Sequence, residues 1–426
     1  MNERMTALRA FLDGAHSFYH STAALCKELD DAGYSRLSES APWSLIPGGK
    51  YYINRGGSSV LAFRVPQGTP TGYMMSATHC DHPTFRIKVN GNLDGAYTRI
   101  ATERYGGMII APWLDRPLSI AGQVVVETED GVETRLMDID RDLALIPNVA
   151  IHMDRGINEK SSWNVAIDTL PLVSGADGAK RLEQLLAETA GGKIMGADLY
   201  LYLRQRSSIW GLDNEFISAP GLDNLLCVWP CAQGFLNADP SDAIAVLAVF
   251  DSEETGSNSA QGADSNMLAT VLARISRCLE LDHDRMLANS MMVSADMAHA
   301  LHPNHPEYAD PNNAPVMNGG VVMKFNASKN YVTTGLSAAL FRKVCAKADV
   351  PVQTFHNRAD IKGGSTLGYI SMNHVSIPSV DIGLAQLAMH SCYETAGAKD
   401  PFYLEKAMTV FYGSSLETDG IHYTLK

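Results

Sequence analysis

The sequence predicts an α/β fold interrupted by a β-rich insertion. Three observations carry that expectation. Ala243 to Phe250 is a near-continuous apolar run, the pattern of a strand buried on both faces of a mostly parallel sheet. Helical-period stretches around 222–236 and 263–280 flank it. Between about 90 and 205, short strand-like segments dominate, separated by turn signals such as Glu129-Asp130-Gly131.

At 426 residues the chain is too long for one hydrophobic core. We expect a first catalytic part at 1–89, an inserted β-rich domain at 90–205 and a second catalytic part at 206–426. Apolar residues at helical spacing (Leu8, Phe11, Leu12, Phe18, Leu25, Leu29) predict an opening helix or helix pair. After the turn signal Pro47-Gly48-Gly49, the runs Tyr51–Ile53 and Ser59–Val65 read as a hairpin. Tyr73 to Thr78 is a strand ending at His79, and strand carboxyl ends are where α/β folds place their sites. Within the insertion, Met108–Ile110, Ser119–Ile120, Gln123–Glu127 and Leu143–Ile146 read as strands, and Ala179–Ala190 as an amphipathic helix. Further strands are expected at Met291–Ala295, Val352–Phe355 and Ser376–Ile382.

Composition excludes several classes. A formal net charge of −13, from 47 acidic and 34 basic residues, opposes a nucleic-acid partner, which needs a basic face. No apolar run approaches the roughly 20 residues of a membrane span, and the amino terminus lacks a signal core. Seven scattered cysteines, an odd number without a CxxC pair, fit reduced thiols in a cytoplasmic protein.

Five segments bring acidic and histidine side chains to strand ends or turns: Thr78–Asp81, Gly221–Asn224, Asp251–Glu254, Ser294–His299 and Ala388–Ser391. Buried charge at such positions is costly unless paired or metal-bound. Two histidines and three carboxylates form a nitrogen and oxygen set suited to two divalent ions, Zn²⁺ first, with Mn²⁺ or Co²⁺ as alternatives. In this reading Asp223 bridges, His79 and Asp296 complete one site, and Glu254 and His390 complete the other. Glu253, unligated, is the general base of a hydrolase. Adjacent side chains of an extended turn diverge, which separates the two glutamates' roles. Cys80 is read as structural and His299 to His305 as a polar loop.

Together these stretches resemble the aspartyl aminopeptidase (M18) family of metalloaminopeptidases. The matching motifs include Thr-His-Cys-Asp-His-Pro at 78–83, Ile-Pro-Asn-Val-Ala-Ile-His-Met at 146–153, Phe-Asp-Ser-Glu-Glu-Thr-Gly-Ser at 250–257 and Leu-Ala-Met-His-Ser at 387–391. The resemblance implies a zinc-peptidase (phosphorylase/hydrolase-like) catalytic domain, an inserted dimerisation domain and a homo-oligomer, typically a dodecamer. It implies that Asp81 orients the His79 ring, and that His152 reaches a neighbouring subunit's site to help hold the oxyanion. It also implies that Lys324 pairs with an acidic N-terminal side chain of a peptide, in a pocket lined by Tyr331, Gly364 and Ser365. The chain departs from the family pattern at His82, Gly221 and Pro117, which widens the expected preference beyond Asp. A broader aminopeptidase, a dipeptidase or deacylase on the same fold, and a non-catalytic oligomeric scaffold are the competing expectations.

Overall fold

The computed structural model describes residues 3–159 and 162–426. Its largest element is a nine-stranded mixed sheet. Four parallel strands form the middle in the order Ile244–Phe250, Tyr73–His79, Met291–Ala295 and Ser379–Gly383. The expected hairpin, Lys50–Arg55 with Ser59–Arg64, extends one side antiparallel. Val321–Phe325 and Val352–His356 extend the other.

Alternation along the buried strands explains their uninterrupted apolar runs. Ala245, Leu247 and Val249 enter one core, beneath the opening helices Glu3–Gly14 and Phe18–Asp31 and the helices Leu222–Asn237 and Asp400–Tyr412. Ile244, Val246, Ala248 and Phe250 enter the other, against Met267–Cys278. Each such side chain contributes about 1.5–3 kcal/mol on burial, and the polar residues inside neighbouring strands have partners, as Ser76 has in the Tyr412 hydroxyl.

A six-stranded antiparallel sheet forms from Thr84–Leu93, Tyr97–Tyr105, Leu118–Thr128, Gly131–Asp138, Leu172–Gly175 and Ile194–Leu203. It has its own core, which the helix Ala179–Ala190 helps to cover with Leu182 and Ala190. The strand Thr84–Leu93, paired within this sheet, spans the boundary expected at 89/90. Polar residues such as Arg86 and Lys88 masked this strand. Met108–Ile110 is not a strand; it is irregular chain leading into a short 3₁₀ turn at Ala111–Trp113.

A third sheet of five short strands lies beside the first, in the order Ser208–Trp210, Phe216–Ala219, Glu394–Gly397, Ala385–Leu387 and Ala298–His299. It carries the chain from the end of Ser379–Gly383 to His390 and back. All seven cysteines are free, and no helix among the described residues is long and apolar enough to cross a membrane.

Candidate metal centre

The parallel strands end together. In the pairing of Ile244–Phe250 with Tyr73–His79, Phe250 stands opposite His79, so Asp251–Glu254 and His79–Asp81 leave the sheet side by side. Met291–Ala295 ends one residue before Asp296. Asp223 comes from the first turn of Leu222–Asn237, where it and Asn224 take non-helical dihedrals and share a cis peptide. The Asn224 amide donates to the Ala295 carbonyl at 2.8 Å, tying this turn to the strand that delivers Asp296.

The donor atoms form two triads that share Asp223. His79 Nε2 lies 3.7 Å from Asp223 Oδ1 and 3.5 Å from Asp296 Oδ1. His390 Nε2 lies 3.6 Å from Asp223 Oδ2 and 3.4 Å from Glu254 Oε2. A tetrahedral ion with ligands at about 2.0–2.2 Å needs its ligands roughly 3.3–3.6 Å apart, so both triads have the right size for a metal such as zinc. Asp223 Oδ1 and Glu254 Oε1 are buried without a hydrogen-bond partner, which a cation would supply. The donor set and its orphaned oxygens fit a pair of divalent ions.

The second ring nitrogen of each histidine is committed elsewhere. His390 Nδ1 is 2.6 Å from the Gly107 carbonyl oxygen. His79 Nδ1 is 3.1 Å from the Asp81 backbone oxygen and 3.4 Å from its Oδ1. Both contacts favour the tautomer that turns a lone pair on Nε2 toward a metal. Gly106 has a positive φ of 78°, and a Cβ there would stand 3.0 Å from that of Glu254. Only glycine permits this approach without strain.

Asp81 does more than orient His79. Its Oδ1 accepts the Glu253 backbone N–H and its Oδ2 the Glu254 N–H, each at 3.1 Å, while Tyr105 donates its hydroxyl to Oδ2 at 2.9 Å. One buried carboxylate thereby holds the whole glutamate turn. The turn is not extended, as expected, but a 3₁₀ turn at Glu253–Thr255 entered through Ser252 at φ 64°. Consecutive side chains about 120° apart in such a turn still diverge. Glu254 meets His390, and Glu253 Oε2 stands 4.0 Å from His79 Nε2 with part of its side chain open to solvent.

The sequence did not single out Glu394. It is buried, and it accepts the Asp223 N–H at 2.9 Å on one oxygen and the His390 N–H at 2.7 Å on the other. Its place four residues after His390 was visible, but nothing in the sequence distinguishes it from a surface glutamate.

Among the protein groups alone, burial and the charge of Asp296 push Asp223 well above the usual carboxylate range. Burial and Asp223 do the same to Glu254. Burial and neighbouring carboxylates push Glu253 up to about 7. Asp296 goes the other way: burial opposes its charge, but Lys324 and His79 outweigh it. A bound dication favours the ionised form of all four.

Lys324 is held inside the protein. It is 2% exposed, donates to the Asp296 and Met297 carbonyls at 2.8 and 3.0 Å, and lies 3.5 Å from Asp296 Oδ2. Two of its N–H donors are used by these carbonyls, and its charge faces the Asp296 carboxylate. Tyr331, buried, packs beside it, with the ammonium 5.3 Å from the ring. Gly364 lines a cavity of roughly 400 Å³ that runs up to Ala388 and Met389, beside His390. Ser365 is exposed. His152 is exposed on a loop of turns between exposed Ile151 and Met153.

Comparison with known proteins identifies the family of the chain. The family model described as aminopeptidase I zinc metalloprotease (M18) matches residues 11–412. The chain is 41% identical over 418 residues to a probable M18 family aminopeptidase 2 of Clostridium novyi (strain NT), covering 94% of this chain and 96% of that one. It superposes with a TM-score of 0.91 on the chain in the cryo-EM structure of the Ape4 and Nbr1 complex, at 33% identity, covering 96% of this chain and 85% of that one. Against the S. cerevisiae mApe1 dodecamer the TM-score is 0.85 at 26% identity, with 96% of each chain covered.

Proposed function

The chain belongs to the M18 family of zinc metalloaminopeptidases, and from that membership we propose a dinuclear enzyme that removes acidic N-terminal residues from peptides. The observation that carries the dinuclear reading is the pair of triads sharing Asp223, with ligand separations of 3.4 to 3.7 Å. His79, Asp223 and Asp296 would hold one ion, and Asp223, Glu254 and His390 the other, most readily Zn²⁺. Bound there, the ions would lower the pKa of a water and polarise the scissile carbonyl.

The remaining work falls to side chains. Glu253 makes no ligand contact of its own and is fixed through its backbone by Asp81, so its carboxylate takes the proton of the attacking water and returns it to the departing amine. Lys324 acts on Asp296, keeping that ligand ionised and in place. The preference for an acidic first residue is supported by Lys362 on the cavity beside His390, where Arg358 is already paired with Asp360.

In this reading the chain also forms a homo-oligomer, as the similar mApe1 does. The exposed apolar neighbours of His152 are suited to meeting another subunit, where His152 would support the oxyanion.

The test is kinetic. With two equivalents of Zn²⁺, the enzyme is expected to release the first residue from unblocked aspartyl and glutamyl tripeptides but not from N-acylated ones. Glu253→Gln is expected to lower kcat by at least about 10³-fold with metal content unchanged. Full activity in that variant, or equal cleavage of blocked peptides, would refute the assignment.

A further inference from the structure

The six-stranded sheet returns to the metal centre at the end of one strand. Tyr97–Tyr105 pairs with Thr84–Leu93 so that Tyr105 stands opposite Thr84, three residues after Asp81. The Tyr105 ring is held from two sides, by Phe18 of an opening helix at 5.3 Å and edge-on by Tyr200 of the same sheet at 5.6 Å. Its hydroxyl lies 2.9 Å from Asp81 Oδ2 and 3.3 Å from Asp251 Oδ1. Burial and those two carboxylates push the hydroxyl above the usual phenol range, so it remains a donor.

The residues that follow touch the centre as well. Gly106 packs against Glu254. Gly107 presents its carbonyl to His390 Nδ1, and the Ile109 N–H donates to the His390 carbonyl at 2.9 Å. Two residues beyond His390, Cys392 is buried in the core of the six-stranded sheet, and its thiol donates to the Pro112 carbonyl at 3.0 Å. His79 ends a strand of the nine-stranded sheet and Asp296 directly follows one. Glu254 and His390 rest instead against a strand end of the other sheet.

We propose that the six-stranded sheet sets the working geometry of the metal centre in its own chain, with Tyr105 positioning Glu253 and Glu254 through Asp81 and the segment 106–109 positioning Glu254 and His390. The proposal rests on the dinuclear reading above. A hydroxyl donating to a carboxylate makes one of the stronger hydrogen bonds. Asp81 has both oxygens engaged by the Glu253 and Glu254 N–H groups, so a tilt of Asp81 passes to both glutamates at once. Support of this kind acts on rate by fixing where the reacting groups stand. The commitment is local to 105–109 and sets no limit on the size of the sheet behind it.

The experiment sets wild type against Tyr105→Phe, which removes only the hydroxyl, and Gly106→Ala, whose added Cβ meets Glu254. The control is Val126→Ala, a core truncation at the far end of the strand Leu118–Thr128. Each protein is measured for kcat and KM on an unblocked tripeptide, for Tm, and for stepwise Co²⁺ uptake with the visible spectrum of the cobalt-loaded form. Tyr105→Phe is expected to lower kcat at least about tenfold with KM within about twofold, and to shift the cobalt bands. Gly106→Ala is expected to weaken uptake of one of the two equivalents at least about tenfold and to leave the other unchanged. Val126→Ala is expected to lower Tm while keeping the wild-type kcat and bands. Wild-type kcat and spectrum in Tyr105→Phe, or the Tyr105→Phe pattern in Val126→Ala, overturns the proposal while leaving the dinuclear reading standing. Wild type that takes up fewer than two equivalents of cobalt overturns both.

Discussion

Replacing Glu394 with alanine tests the architecture of the metal centre without touching a ligand. Its two oxygens accept the backbone N–H groups of Asp223 and His390, at 2.9 and 2.7 Å. Asp223 is shared by both triads and His390 completes one, so the loss acts on both sites. Each buried N–H left without an acceptor costs about 1–3 kcal/mol. Water entering the space left by the side chain would recover part of this, so a net of about 2–3 kcal/mol is reasonable. At about 1.4 kcal/mol per tenfold, that is roughly 30–150-fold, in line with the 10–100-fold typical of groups supporting metal ligands. Titration of zinc-loaded enzyme with a chelator, read by residual metal, should show the midpoint shift by about that factor, with kcat recovering at saturating zinc. Glu394→Gln, which keeps one carbonyl oxygen for one of the two donors, should fall between. A wild-type chelation midpoint in Glu394→Ala would refute the view that this carboxylate sets the positions of Asp223 and His390.

Asp81→Ala should be more severe, because it releases the Glu253 and Glu254 backbones as well as His79; we expect both kcat and zinc affinity to fall by at least about 100-fold, and loss of only one would refute the double role. Removing the metal should lower Tm, since it leaves crowded buried carboxylates uncompensated; returning zinc at about 1,000 times its Kd should restore about 4 kcal/mol per site, and a scanning-calorimetry trace indifferent to zinc would contradict this. Asp138→Asn probes the contact between the opening helices and the inserted sheet, where His16 Nδ1 lies 2.7 Å from Asp138. Burial opposes ionisation of Asp138, but the His16 hydrogen bond outweighs it and holds the carboxyl below its usual range. A depressed folded-state pKa gives stability that is present above the unfolded value and lost as pH falls through the folded one. The variant should therefore unfold about 1 kcal/mol more easily than wild type near pH 6, with the gap narrowing as pH falls below the ordinary carboxylate value, measured by urea midpoints; a gap unchanged down to the lowest pH at which both proteins fold would remove the charge from the explanation.

What could be read from the sequence followed from how strongly each element depends on side-chain pattern. Met291–Ala295 and Ala179–Ala190 have the expected bounds because buried strands and amphipathic helices require particular residues at every position. The five-stranded sheet was missed because Ala298–His299, Ala385–Leu387 and Glu394–Gly397 are too short to show an alternation. Donor residues announced themselves, since only a few side chains can bind a divalent ion. Their supports did not: the Gly107 carbonyl that orients His390 is an atom every residue possesses. Lys324 shows a third case. Its apolar neighbours Val321, Val322 and Met323 indicate a buried strand, but not which carboxylate the ammonium would meet there.

The pairing of Phe250 with His79 has a consequence for how this protein can change. Strand register works as a ruler: slipping Ile244–Phe250 by two residues against its neighbour would carry Glu254 about 7 Å away from the shared aspartate. Length changes within the four central strands should therefore abolish the site even where they leave the core packed. The sheet inserted between Asp81 and Asp223 carries no such constraint. A whole sheet already sits between Asp81 and Asp223, and its size has no bearing on how far apart those two residues end up. New modules can be gained or lost there, while the distances among the donor side chains follow the ladder of backbone hydrogen bonds beneath them.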